Sequence, residues 1–158
     1  MARTIRIVVI SDTHRNISDA IDVITAESPD YVLHLGDLES DCDELRYIFD
    51  RLDIIGVSGN CDWSGMNSTT ERMLDIGGVK IFMCHGHTYS VKSGYDRLIA
   101  AARARGADIA LFGHTHRSMY DHLGDIAIMN PGTTDTYGLI EIEGGAFRGS
   151  IKAVDELK

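Results

Sequence analysis

Three short apolar runs separated by helical stripes constrain this chain more than any other feature. Arg6-Ile7-Val8-Val9-Ile10, Tyr31-Val32-Leu33-His34-Leu35 and Ile54-Ile55-Gly56-Val57 are short, rich in β-branched residues and bounded by polar residues or turn formers, so each reads as a buried strand. Between the first two, Ile17, Ala20, Ile21 and Ile24 lie on one stripe of a helix that stops before Pro29. Between the second and third, Asp41 and Glu44 have the spacing of a capping box for a helix that buries Leu45, Ile48, Phe49 and Leu52. Crossovers of this length join parallel strands, so the segment up to residue 58 is expected to form a βαβαβ sheet with helices packed against it.

The rest of the chain changes character. Gly77-Gly78 separates two strand-like runs, 71–76 and 79–84, as a hairpin turn does. Ser93 can cap a helix whose apolar face is Tyr95, Leu98, Ile99 and Ala102, and Gly106 is placed to end it. Ile109 to Phe112 reads as another buried strand, and short strands near 119–122, 126–129, 137–143 and 146–153 are punctuated by Gly124-Asp125, Asn130-Pro131-Gly132 and Gly144-Gly145. An α/β protein with two sheets follows, in one domain spanning residues 1–158. Its 44% hydrophobic and 25% charged content fits a globular protein, and no apolar run approaches the roughly 18 residues of a membrane span. With 15 basic against 24 acidic residues the net charge is −9, which disfavours duplex nucleic acid as a partner. Cys42, Cys61 and Cys84 form no CxxC pair, so a disulfide framework is not expected and the cytoplasm is the expected location.

The chemistry lies immediately after the strands. Ile10 leads to Asp12 and His14, Leu35 to Asp37, Val57 to Asn60, Cys61 and Asp62, Cys84 to His85 and His87, and Phe112 to His114 and His116. In open α/β sheets such strand ends converge on one rim. The Asp-x-His and His-x-His pairs, taken as extended segments, would aim alternate side chains to the same side. Imidazole mixed with oxygen donors suits Mn²⁺, Fe, Zn²⁺ or Ni²⁺ better than Cu(I) or an iron–sulfur cluster. Seven ligand candidates exceed the needs of one tetrahedral ion, whereas two metals sharing a carboxylate would use them, an arrangement suited to phosphoryl chemistry.

The ordered blocks Asp12-x-His14, Gly36-Asp37, Gly59-Asn60-x-Asp62, His85-Gly86-His87 and Gly113-His114-x-His116 resemble the calcineurin-like metallophosphoesterase superfamily over residues 7 to 132. Short length, Gly-Asn-Cys-Asp and Asn130-Pro131-Gly132 make the chain most similar to the small YfcE-type microbial phosphodiesterases. The resemblance implies a four-layer αββα sandwich with two mixed β-sheets and a metal-dependent phosphodiesterase, in which a water or hydroxide activated at a binuclear centre hydrolyses the ester. It places Asp12, His14 and His116 on one metal and Asn60, His85 and His114 on the other, with Asp37 bridging. Mn²⁺ is the first choice of metal, with Ni²⁺, Zn²⁺, Fe or Mg²⁺ as alternatives. Asn60 could also donate an N–H to a phosphate oxygen, and Asp62 could orient an imidazole. Where larger relatives carry a histidine that protonates the leaving alkoxide, this chain has Cys61, leaving Cys61, His87 or no group as the general acid.

Arg15 and Arg117 directly follow His14 and His116 and could reach a substrate phosphate, although solvated surface arginines account for them equally well. His34, inside an apolar run, reads as a hydrogen-bonded core histidine, His122 as exposed, and Cys84 as facing the core. The expected substrate is a small phosphodiester. A phosphomonoesterase shares the same metal core, and a non-catalytic scaffold resembling the retromer subunit of this fold is disfavoured because all seven ligand positions are filled. Small size and the relatives in this subgroup are consistent with a homo-oligomer.

Overall fold

The computed structural model describes residues 4–11, 17–36, 39–57, 70–133 and 135–157, and of residues 39–42 the backbone alone. Among the described residues, ten strands form two five-stranded mixed sheets. One has the order β10 (Ala146–Ala153), β9 (Thr136–Glu143), β1 (Ile5–Ile10), β2 (Tyr31–His34), β3 (Asp53–Gly56). The other runs β4 (Glu71–Ile76), β5 (Val79–Cys84), β6 (Ile109–Leu111), β8 (Ile126–Asn130), β7 (Met119–Leu123). As expected, β1, β2 and β3 are parallel neighbours, with Val9 opposite Leu33 and Leu33 opposite Ile55. β4 and β5 form the hairpin, closed by Gly77 and Gly78 at φ 59° and 85°. Positive φ at both turn residues matches the right-handed twist of the flanking strands and requires glycine-like freedom.

Strand alternation divides the core into three. Ile7, Val9, Ile81, Met83, Ile109, Leu111, Ala127 and Met129 point between the sheets, whereas Val8 and Ile10 meet helices α1 (Ser18–Glu27) and α2 (Glu39–Ile48). Phe82, Cys84, Ala110 and Ile128 meet the third helix, α3 (Asp96–Ala104), through Leu98 and Ala102. The result is an αββα sandwich, because each sheet has apolar side chains on both faces and each face must be covered. No helix among the described residues is long and apolar enough to cross a membrane.

Two helix starts differ from the capping patterns. α2 begins at Glu39, so Asp41 lies inside it rather than at its cap. Ile48 is 44% exposed instead of buried, because Leu45 packs inward and Arg46 Nε donates to the Ile54 carbonyl at 2.9 Å, turning Ile48 away from β3. α3 begins at Asp96 with Tyr95 at its cap, while Ser93 donates its N–H to Ser90 in a separate turn. At the last turn of α1, the nearly buried Glu27 joins helix to sheet. Its Oε1 accepts from Arg6 at 2.7 Å, and its Oε2 accepts from Tyr137 at 2.8 Å and Lys152 at 3.1 Å.

Candidate metal centre

Parallel pairing of β5 with β6 puts their C-terminal ends side by side, and the Gly113 N–H donates to the His85 carbonyl at 2.8 Å. The two sheets also meet here. His85 is fully buried, and its Nδ1 lies 2.8 Å from the carbonyl of Leu35, at the end of β2 in the opposite sheet. A carbonyl only accepts, so His85 carries its proton on Nδ1 and presents a lone pair at Nε2. That Nε2 is 3.2 Å from Nδ1 of His114, with the rings 5.0 Å apart and steeply inclined at 67°.

Gly86, at φ 107°, turns the chain sharply out of β5 into the 3₁₀ turn His87–Tyr89. A Cβ at Gly86 would stand 2.9 Å from Val91 Cγ2, so the turn also needs glycine for space. It brings the His87 ring to 5.4 Å from His85 and 6.2 Å from His114. Among the described residues His87 Nδ1 is buried without a hydrogen-bond partner, a state that costs about 1–3 kcal/mol for a neutral polar group. The far end of the turn is braced by Glu71, which accepts from the Tyr89 hydroxyl and from Arg105 at 2.6 Å. Burial and the Glu71 carboxylate push the Tyr89 hydroxyl up to about 12. Burial likewise raises the Cys84 thiol to about 12, and its Sγ faces the Leu111 carbonyl at 3.8 Å in the core.

The His114-x-His116 pair is not an extended segment. His114 and His116 have φ 68° and 62°, the left-handed region that L residues with a Cβ avoid. Each costs of order 1–3 kcal/mol, and such strain persists only where neighbouring contacts over-determine the backbone. Alternation along a strand therefore does not explain how these imidazoles are aimed. Asn130, read in the sequence as part of a turn and of a block shared with the family but given no role at the site, is fully buried and hydrogen-bonds this loop through its amide. The available signal was an amide ending an apolar strand, where its polar atoms need partners.

Of the seven proposed ligands, His85, His114 and His116 are described, His116 being exposed. Asp12, His14, Asp37 and Asn60 lie outside the described residues, as do Arg15, Cys61 and Asp62. Their loops leave from one rim: the Leu35 N–H donates to Ile10 at 2.9 Å and the Val57 N–H to His34 at 3.0 Å, setting the ends of β1, β2 and β3 level. Among the described residues, no group of three His, Cys, Asp or Glu is placed to hold a metal, so these loops would have to complete a site. The donor chemistry fits a divalent cation. Two imidazole nitrogens at 3.2 Å can both lie ~2.0–2.1 Å from one ion, and the carbonyl behind His85 is the usual partner of a metal-bound histidine. Arg117 is exposed and has no ion pair among the described residues; its backbone N–H donates to Thr115 Oγ1 at 3.2 Å. His34 Nδ1 accepts the Gly36 N–H at 3.1 Å, as a core histidine should, and His122 is exposed.

Comparison with known proteins places these features in a family. A calcineurin-like phosphoesterase superfamily domain profile matches residues 5–142. The chain is 27% identical to a phosphodiesterase of Methanocaldococcus jannaschii, over 90% of this chain and 96% of the relative. A predicted phosphoesterase from Streptococcus pneumoniae superposes with TM-score 0.79 and 25% identity, covering 97% of this chain and 91% of the other. Vps29 from Entamoeba histolytica, in complex with zinc, has TM-score 0.69 and 19% identity, covering 95% and 99%, a likeness of fold alone.

Proposed function

The chain belongs to the calcineurin-like phosphoesterase superfamily and is a hydrolase of phosphoester bonds; on that premise we propose that it cleaves phosphate diesters at a binuclear metal centre. The observation that carries this reading is the His85–His114 pair, two imidazoles brought together from adjacent strand ends with the His85 proton held on the far side by Leu35. On this reading Asp12, His14 and His116 hold one cation, Asn60, His85 and His114 the other, and Asp37 is shared. Bound there, the cations supply a water of lowered pKa and offset charge on the phosphoryl oxygens. The Leu35 carbonyl keeps His85 in the tautomer that faces the site. Asn60 donates its amide N–H to a phosphate oxygen, Asp62 orients an imidazole, and Arg15 and Arg117 offer paired N–H donors to the phosphate. For the leaving oxygen, His87 is the proton donor favoured over Cys61, because its ring stands in the histidine cluster. The reading takes residues 1–158 as one domain, with Mn²⁺ as the metal, a small diester as substrate and a homo-oligomer as the assembly.

A diester carries one charge near neutral pH, whereas a monoester carries nearly two and needs a place for a third terminal oxygen. Specificity constants for bis(4-nitrophenyl) phosphate and 4-nitrophenyl phosphate with Mn²⁺ test the preference. A larger value for the diester is expected; a larger value for the monoester makes the protein a phosphomonoesterase. Failure to turn over either ester with Mn²⁺, Ni²⁺, Zn²⁺, Fe²⁺ or Mg²⁺ would overturn the phosphodiesterase reading. Metal uptake alone does not separate an enzyme from a scaffold, since a Vps29 also holds zinc; turnover does.

A further inference from the structure

We propose that Asn130 is a positioning residue for the metal-binding histidines, holding both strained positions of the Gly113–Arg117 loop through one buried amide; the inference rests on the metal-centre reading above. Asn130 ends β8 and is fully buried. Its Nδ2 donates to the Gly113 carbonyl at 3.1 Å and to Thr115 Oγ1 at 2.9 Å, and its Oδ1 accepts the Gly132 N–H at 2.8 Å. The amide cannot be turned over, because its oxygen would then face the Gly113 carbonyl and its nitrogen the Gly132 N–H.

The anchored residues alternate with the strained ones. Gly113 and Thr115 are held, while His114 and His116, each one residue further on, carry the positive φ. The loop's own bonds, Thr115 N–H to Gly113 at 2.8 Å and Arg117 N–H to Thr115 Oγ1 at 3.2 Å, close on the same two acceptors that Asn130 engages. Gly113 in turn bonds the His85 carbonyl, so the amide secures the segment that also abuts the other metal-facing histidine. On the far side, a Cβ at Gly132 would lie 3.2 Å from Ser118 Cβ and 2.1 Å from Thr136 Oγ1, so the Asn130–Gly132 turn is packed between the loop's exit and β9. A residue that merely filled space would have no need of an amide in this orientation.

The test compares Asn130→Asp, Thr115→Val and Thr115→Ser by thermal melting, by calorimetric titration of the metal-stripped protein with Mn²⁺ well below the melting point, and by diester turnover. Asn130→Asp keeps the acceptor for Gly132 but turns an oxygen toward the Gly113 carbonyl. Mn²⁺ affinity is expected to fall about 10–100-fold, as for other groups that support metal ligands, while the protein still melts cooperatively. Thr115→Val, which removes the Asn130 and Arg117 acceptor together, should reproduce part of the loss, and Thr115→Ser should restore parental affinity. If Asn130→Asp does not fold, the Thr115 pair decides the matter. Folded variants with parental Mn²⁺ affinity overturn the inference, as does a fall in melting temperature with affinity unchanged. Because affinity is read on binding, a parent that takes up Mn²⁺ yet hydrolyses no diester defeats the functional reading and leaves this one standing.

Discussion

Replacing Glu27 tests how helix α1 is fixed to the first sheet. Burial pushes its carboxyl up, but the hydrogen bonds from Tyr137 and Lys152 and the charges of Lys152 and Arg6 outweigh that effect and hold it below the ordinary value. Two partners are partly wet, Arg6 at 32% and Lys152 at 39% exposure, so each contributes no more than about 1 kcal/mol. Tyr137 is 1% exposed, and its hydroxyl has no water to turn to. Glu27→Gln retains an oxygen for Tyr137 and loses the charge, a cost of about 1–2 kcal/mol. Glu27→Ala also strands the hydroxyl, adding about 1–3 kcal/mol. For a domain of this size the first figure corresponds to a fall of about 2–8 °C in melting temperature. Since the folded carboxyl titrates below the unfolded value of about 4.3, its contribution is complete above that pH and is lost as pH falls through the folded value. Urea unfolding of parent and Glu27→Gln at pH 7, 5.5, 4 and 3 should show a constant gap down to pH 5.5 that narrows below pH 4.3. A gap unchanged to pH 3, or one below about 0.3 kcal/mol at pH 7, would refute the argument.

Asp37→Ala should abolish diester hydrolysis and most Mn²⁺ uptake with little change in circular dichroism; activity near that of the parent would remove Asp37 from its bridging place. His87→Ala should slow an alkyl ester on the order of 10²-fold more than a nitrophenyl ester, as removal of a positioned general acid does; equal losses on both would make His87 a positioning residue. Cys84, buried with a thiol raised to about 12, should resist iodoacetamide at pH 8 in the native protein and react once unfolded in urea, as followed by peptide mass mapping. Rapid native alkylation at Cys84 would contradict its place in the core.

Local pattern carried the strands well because their apolar runs are short, bounded and mostly β-branched; the Gly77-Gly78 hairpin and both ends of β5 fall where the sequence puts them, and β6 ends one residue earlier than expected, at Leu111. Helix starts were harder. The capping signals at Asp41 and Ser93 describe what a side chain can do for an isolated helix end, whereas packing of Leu45 and Leu98 sets where these helices lie. The histidines were visible by position but not by conformation, since only tertiary contacts hold His114 and His116 at positive φ. Asn130 was legible as a turn residue and not as an anchor, because its partners Gly113 and Thr115 lie on another strand's loop.

The place of β1 between β2 and β9 has a consequence for synthesis. Ile7 pairs with Tyr31 on one side and with Ile140 on the other, about 130 residues later. At elongation rates of ~5–20 residues per second, the unsatisfied edge of a strand carrying Ile7, Val8 and Val9 waits roughly 7–26 s for its neighbour to be made. The nascent βαβαβ unit is therefore a half-sheet with a sticky margin, and the wet outer strand β10 arrives only after β9 has covered it. Until β9 is made, the unpaired margin of β1 is the edge that another strand can add to, so the sheet's weakest point during synthesis is a strand whose Ile7, Val8 and Val9 end up fully buried in the finished fold.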